Sequence, residues 1–388
     1  MTDSSTPSPL GPVMCVVGAR PNFMKMAPIL RALATHAPGL RAMLVHTGQH
    51  YDRDMSDRLF TDLGLPRPDI NLDVGSGTHA VQTADVMRRF EPALDTHRPC
   101  CVIVVGDVNS TLACTLVAVK KDVPVVHVEA GLRSYDRKMP EEINRVLTDQ
   151  VADRLYITER SAGENLQREG IPPERICFVG NVMIDSLLAN REHAQSAADT
   201  LRAHGVDPAV LSAHGRFGVV TLHRPSNVDD AQVLDRLLGV LAEVAARLPL
   251  VFVQHPRTRN NIERFGLGRL IDPQRVVLLP PQGYLEMLGL MAEATLVLTD
   301  SGGLQEETTA LGVPCLTLRA NTERPITVEE GTNTMVGDDR VAILQCVDDI
   351  LQGQGKLGRT PEFWDGRAAE RIAADLGQWL ADLHQRHD

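Results

Sequence analysis

Short runs of valine, isoleucine and leucine recur along the chain, each followed by a polar loop and then by an amphipathic stretch. The first set is VMCVVG (13–18), AMLVHTG (42–48), CVIVVGD (101–107), PVVHVEAG (124–131), RLYITE (154–159) and ICFVGN (176–181). Runs that are apolar at every position suit strands covered on both faces, as in a parallel sheet. Their alternation with helical stretches predicts right-handed βαβ units. The pattern lapses over residues 183–214, which are polar and alanine-rich with no clear strand. It resumes with FGVVTLH (217–223), LVFVQH (250–255), VVLLPP (276–281), ATLVLTD (294–300) and PCLTLR (314–319). Residues 361–388 read as helix. The expectation is an α/β protein with two doubly wound, Rossmann-like halves that meet near residue 185.

In such sheets ligands bind beyond the carboxyl ends of the strands. Arg20, Asp107, Glu129, His223 and the run Asp300-Ser301-Gly302-Gly303 all fall there. Two sheets facing each other would bring these ends to one central cleft.

The 388 residues exceed one ordinary core. The net charge of −11 and the 4% aromatic content argue against nucleic-acid and membrane-surface binding, so both partners are excluded. A site for an anion must therefore be a local positive pocket. The seven cysteines are odd in number, contain no CxxC and sit mostly in apolar runs, which suits reduced thiols in a reducing compartment. Residues 1–10 lack the basic and apolar regions of a signal peptide and read as a disordered extension. No apolar run is long enough for a membrane span. The expected location is cytoplasmic.

TDSGGLQEE (299–307) places two glycines and a serine where a strand gives way to a helix. Gly302 and Gly303 let backbone N–H groups approach a ligand, and the helix N-terminus favours an anion. Ser301 would serve equally as an ordinary N-cap, and Glu307 as a ribose acceptor or as a solvated helical side chain. GARPNFMK (18–25) offers a second anion turn, with Arg20, Pro21 at the first helical position and Lys25. The GxxxxGK[ST] spacing of a P-loop is absent. Asp107, Glu129 and Glu141 are carboxylates at element ends. Desolvated, such groups act as general acids or bases, although a glutamate in a first helical turn also simply complements the helix dipole. His223 and Arg224 close the strand FGVVTLH. Arg324, after PCLTLR, is a second phosphate ligand or a surface arginine. The thirteen histidines are scattered along the chain and no CxxC accompanies them, so no metal is expected.

Taken in order, GARPNFMK, HTGQHYD, GDVNST, HVEAGLRS, PEEINR, GNVMIDSL, DSGGLQEE and TERPITVEEGTN resemble the non-hydrolysing UDP-N-acetylglucosamine 2-epimerase family over about residues 13–352. The resemblance implies the glycosyltransferase-B architecture: an extension over 1–11, a first domain over 12–185, a UDP-binding domain over 186–360, and a helix over 361–388 crossing back to the first domain. It implies reversible conversion of UDP-GlcNAc to UDP-ManNAc by loss of UDP to 2-acetamidoglucal and its re-addition, feeding surface polysaccharide synthesis, in a homodimer and without nicotinamide or metal cofactor. By the same resemblance Asp107, Glu129, Glu141 and His223 are catalytic. Arg20, Lys25, Gln282, Met287, Ser301, Gly302, Gly303, Glu307 and Arg324 line the UDP site. Gln49 and Arg224 match a regulatory UDP-GlcNAc site found in some members. The chain departs in HRPSN, where Ser226 replaces a common glutamate, and at Met287, which replaces a phenylalanine near uracil. A hydrolysing relative, or the same chemistry on a modified UDP-N-acetyl sugar, is the alternative.

Overall fold

The computed structural model describes residues 11–48, 62–212 and 215–387; the expected extension, apart from Gly11, and Gln49 lie outside the described residues. The chain divides into two compact units, residues 1–189 with 362–388 and residues 190–361.

The first unit is a seven-stranded parallel sheet in the order β3-β2-β1-β4-β5-β6-β7. Its strands are β1 Val13–Val17, β2 Ala42–His46, β3 Ile70–Asn71, β4 Cys101–Val105, β5 Val125–Ala130, β6 Arg154–Ile157 and β7 Ile176–Phe178. β1, β4 and β5 are buried at every position; β1 and β4 therefore read as unbroken apolar runs rather than alternating ones, whereas β5 buries His127 and Glu129 among its apolar residues.

The second unit is a six-stranded parallel sheet in the order β10-β9-β8-β11-β12-β13. Its strands are β8 Gly218–Thr221, β9 Leu250–Val253, β10 Val276–Leu279, β11 Leu296–Thr299, β12 Cys315–Thr317 and β13 Asn333–Met335. Alternate residues feed two cores: Val219, Val251 and Val297 enter one, while Val220, Phe252 and Leu298 enter the other. Two strands escape the sequence pattern. β3 and β13, two and three residues long, exist only by pairing with β2 and β12.

The strand order reverses between β1 and β4 in one sheet and between β8 and β11 in the other. These are topological switch points, where the loops leaving adjacent strands part and open a crevice. Gly18-Ala19-Arg20 and Gly106-Asp107 leave the first switch point; His223-Arg224 and Asp300-Ser301 leave the second.

The last helix is shorter than expected, Ala368–His387, because Pro361 and Gly366 (φ +77°) hold residues 361–367 in turns. It packs on helix Arg20–His36. Asp185 accepts the N–H groups of Ala368 (3.1 Å) and Ala369 (2.7 Å) and so caps that helix. Burial, only partly offset by those two donors, pushes the Asp185 carboxyl up to about 6. Among the described residues no helix is long and apolar enough to cross a membrane. All seven cysteines are free thiols.

Candidate active site

At the first switch point the chain turns from β1 into helix Arg20–His36. Asn22 organises this turn: its Oδ1 accepts from Ala19 N (2.9 Å), and its Nδ2 donates to the Val105 carbonyl at the end of β4 (2.9 Å). Arg20 occupies the first helical position and Pro21 the second. One turn later, Lys25 is buried, and its Nζ lies 2.6 Å from Glu129 Oε2, with side-chain exposures of 8% and 2%. Lys25 thus already holds an anion of the protein itself. Gly106 makes room for it, since a Cβ there would come 3.2 Å from Lys25 Nζ.

Glu129 sits in β5 at φ +71°, the left-handed region that non-glycine residues seldom occupy. The β5–β6 register slips between Val128 and Ala130, which makes Glu129 the extra residue of a bulge. Such a conformation costs of the order of 1–3 kcal/mol and tends to mark functional sites.

Asp107 and helix Pro140–Val151 are joined by Arg145. Its Nη2 lies 2.5 Å from Asp107 Oδ2 and its Nη1 2.5 Å from Glu142 Oε2. Asn144 Nδ2 donates to the Asp107 carbonyl (2.9 Å). Glu142 also accepts from Ser134 N, Ser134 Oγ and Tyr135 N at 3.0, 3.0 and 2.9 Å. Glu142 is therefore the buried member of the acidic pair that anchors the 131–139 loop, and Glu141 beside it is half-buried.

At the second switch point Asp300 is the hub. Its fully buried carboxylate accepts from the N–H groups of His223 (3.1 Å) and Arg224 (2.9 Å) and from Asn227 Nδ2 (3.0 Å). It also lies 2.8 Å from His223 Nδ1. Burial pushes this carboxyl up, but His223 and the backbone donors outweigh it and hold it below the usual range. Asp300 thereby orients a half-exposed imidazole at the end of β8.

Helix Gly302–Leu311 starts immediately after β11. Ser301 stands at its N-cap position, but its side chain makes no capping hydrogen bond. A Cβ on Gly302 would lie 2.4 Å from Glu323 Oε1, so a larger residue there would displace the Glu323 carboxylate, whereas Gly303 faces open space. Glu307 is buried, not solvated; the burial of Tyr284, with the Glu307 charge adding to it, pushes the Tyr284 hydroxyl up. Arg324 is likewise buried, with Nε 2.8 Å from Glu306 Oε1, which rules out a surface arginine. Gln282 donates from Nε2 to the Pro280 carbonyl (2.7 Å) and lies 3.1 Å from His204 Nε2 through Oε1. Met287 is half-buried against the core under the second sheet. Arg224 Nη2 lies 3.8 Å from Glu323 Oε1, and Ser226 is exposed.

Arg20, Lys25, Asp107, Glu129 and Glu141 therefore belong to the first unit, and the other candidates among the described residues to the second. Arg145, Glu142, Glu306, Glu323 and the orienting role of Asp300 escaped the sequence reading. Strand-end position pointed to Asp300 alone; the others stand out only through burial and through contacts such as Arg145 with Asp107 and Glu306 with Arg324. Among the described residues no group of three or more His, Cys, Asp or Glu side chains is arranged to hold a metal ion.

Two parallel sheets with charged side chains gathered at their switch points define a Rossmann-like α/β protein of the glycosyltransferase-B kind. Residues 32–377 match the family model for UDP-N-acetylglucosamine 2-epimerase. The chain belongs to the UDP-N-acetylglucosamine 2-epimerase family. It is 41% identical over 364 residues to the UDP-N-acetylglucosamine 2-epimerase of Methanocaldococcus jannaschii, covering 93% of this chain and 97% of that one. It is 40% identical over 373 residues to the UDP-2,3-diacetamido-2,3-dideoxy-D-glucuronate 2-epimerase of Pseudomonas aeruginosa, covering 94% and 99%. The crystal structure of the M. jannaschii UDP-GlcNAc 2-epimerase in complex with UDP-GlcNAc and UDP matches with a TM-score of 0.84 at 40% identity, over 94% of this chain and 99% of that one.

Proposed function

We propose that the protein interconverts UDP-GlcNAc and UDP-ManNAc by inverting C2 of the sugar. Glu129 carries this reading: a buried carboxylate held in a strained backbone conformation at a strand end, paired with Lys25, with Asp107 leaving the neighbouring strand. The sugar C2–H is not acidic enough for simple deprotonation and return. In the proposed route a carboxylate takes the C2 proton, the C1–O bond to UDP breaks, and the electron pair becomes the C1=C2 double bond of 2-acetamidoglucal. Return of a proton to the opposite face of C2, with attack of a UDP oxygen on C1, gives the epimer. Such a route requires the departing diphosphate to be held while the glycal stays trapped.

Asp107, Glu129 and Glu141 are assigned to proton transfer, and His223 to the departing diphosphate. Arg20, Ser301, Gly302, Gly303 and Arg324 are assigned to the diphosphate side, and Lys25, which the resemblance places there, is assigned to holding Glu129. Glu307, Gln282 and Met287 are assigned to the ribose and uracil. The open space at Gly303 and the uncommitted Ser301 side chain support a ligand at that helix N-terminus. Family membership supports a cytoplasmic homodimer that supplies surface polysaccharide synthesis, acting without an added cofactor.

The 40% identity to the P. aeruginosa relative favours a second reading, the same chemistry on a diacetamido uronate. Both are tested by incubating the protein with each UDP-sugar in D2O and following the products by proton NMR. UDP-ManNAc carrying deuterium at C2, without free sugar, is the expected result. Free ManNAc and UDP would mark a hydrolysing enzyme, and exchange only on the uronate would move the substrate to the second reading. No exchange on either would refute the proposal.

A further inference from the structure

A buried polar chain in the first unit takes no part in the reaction as proposed. His127, in β5, is completely buried. Its Nδ1 lies 2.7 Å from Asp149 Oδ1 and its Nε2 2.8 Å from the Gly106 carbonyl oxygen. A carbonyl only accepts, so Nε2 carries a proton and donates it. The other Asp149 oxygen accepts from Gly131 N at 3.1 Å and faces Arg133 Nη1 at 2.7 Å. Arg133 is itself forked onto Glu169, at 2.8 and 2.6 Å. Burial pushes the Asp149 carboxyl up, but the adjoining His127 and Arg133 overcome this and hold it below the usual range.

The residues joined by these bonds are informative. Asp149 ties position 127 to position 131, two residues before and two residues after Glu129. Between those anchors lies the bulge that turns Glu129 out of register. Among the described residues Glu129 is the only non-glycine residue inside a strand with positive φ. The second His127 nitrogen tethers Gly106, which directly precedes Asp107 and is itself at φ +67°. The imidazole thus links the strand that carries Glu129 to the backbone beside Asp107, and one aspartate closes the loop around the strained carboxylate.

We propose that His127 and Asp149 are positioning residues for the epimerisation: together they lock the bulge that aims Glu129 at Lys25 and fix the turn that carries Asp107. This inference rests on the proposed reaction, because it assumes that those carboxylates move protons. Neither residue need touch the sugar.

Asp149→Asn keeps the volume but cannot accept from His127 and Gly131 through both of its polar atoms. His127→Gln keeps polarity but cannot span both acceptors with the same geometry. Both variants are assayed beside wild type with UDP-GlcNAc and its C2-deuterated form, and UDP binding is followed by calorimetry. A displaced carboxylate should lower kcat by about 100-fold, the scale expected for a misplacement of about 1 Å. KM and the Kd for UDP should stay within about threefold, as for an interaction used only in the transition state. The isotope effect on kcat should rise, because C2–H cleavage becomes the slow step. Turnover within about threefold of wild type overturns the assignment. So does a fall in turnover that tracks a loss of UDP-binding sites with an unchanged isotope effect, which is the signature of mere unfolding. Wild type that moves no C2 proton on either UDP-sugar would sink the reaction itself, and this assignment with it. Active wild type with an unimpaired Asp149→Asn variant sinks only this assignment.

Discussion

Replacing Lys25 with methionine asks what that lysine is for. Family resemblance assigns it to the diphosphate, whereas its Nζ lies 2.6 Å from Glu129 Oε2 with both side chains buried. Methionine keeps the apolar stem and removes the charge, leaving Glu129 buried without its cation. Removing one partner of a buried pair costs about 3–5 kcal/mol, against about 0–1 kcal/mol for an exposed pair. For a unit of this size each kcal/mol moves Tm by about 2–4 °C, so the first unit should unfold about 6–20 °C lower. The double variant Lys25→Met with Glu129→Gln removes both charges and should recover most of that loss, because a buried pair adds little beyond a neutral replacement. Scanning calorimetry reads the stability, titration calorimetry the UDP affinity and NMR the turnover. If Lys25 acts through Glu129, Tm and turnover fall together while UDP affinity stays within about threefold. An unchanged Tm with UDP affinity down by about tenfold or more, which is about 1.4 kcal/mol, would refute this reasoning and return Lys25 to the diphosphate.

Further outcomes follow from the same geometry. Glu129→Gln and Asp107→Asn should each abolish turnover while UDP binding remains measurable by calorimetry; near-normal turnover in either removes that residue from the catalytic set. Arg324→Ala should weaken UDP binding and also lower Tm, since it removes the buried contact with Glu306; unchanged UDP affinity would take Arg324 out of the UDP site. Asp185 titrates near pH 6 when folded against an ordinary value of 3.8. The folded state binds that proton more tightly, so the contribution is present below about pH 4 and is lost as pH rises through about 6, in all about 3 kcal/mol. Asp185→Asn should flatten this slope in denaturant titrations between pH 4 and 7, and a variant that keeps the wild-type slope would refute the assignment.

Much of the fold was legible in the order of residues. Parallel strands buried on both faces are mostly apolar along their length, so β1, β4, β8, β9 and β11 announce themselves as apolar runs, and β5 does so despite His127 and Glu129. Loops that leave such strands carry the ligand-binding groups, so Asp107, Glu129, His223 and Ser301 could be singled out before any coordinate was known. Local signals failed where an element depends on a partner. β3 and β13 are too short to show a pattern and are strands only because β2 and β12 lie beside them. The helix expected over 361–388 starts only at Ala368, because Pro361 and Gly366 both break a helix.

The tertiary structure alone decided which charges meet. Lys25 and Glu129 lie 104 positions apart, and Asp107 and Arg145 lie 38 apart. Nothing local distinguishes Glu142, pinned by Arg145 and two backbone N–H groups, from half-buried Glu141. A lone arginine reads the same whether exposed or buried, and only the burial of Arg324 against Glu306 separates the two. The bulge at Glu129 appears once β6 supplies a register to slip against. The physical reason is common to all of these. Apolar periodicity is written locally, by which face of an element must leave water. Ion pairing and backbone strain depend on distances that exist only after distant segments have packed.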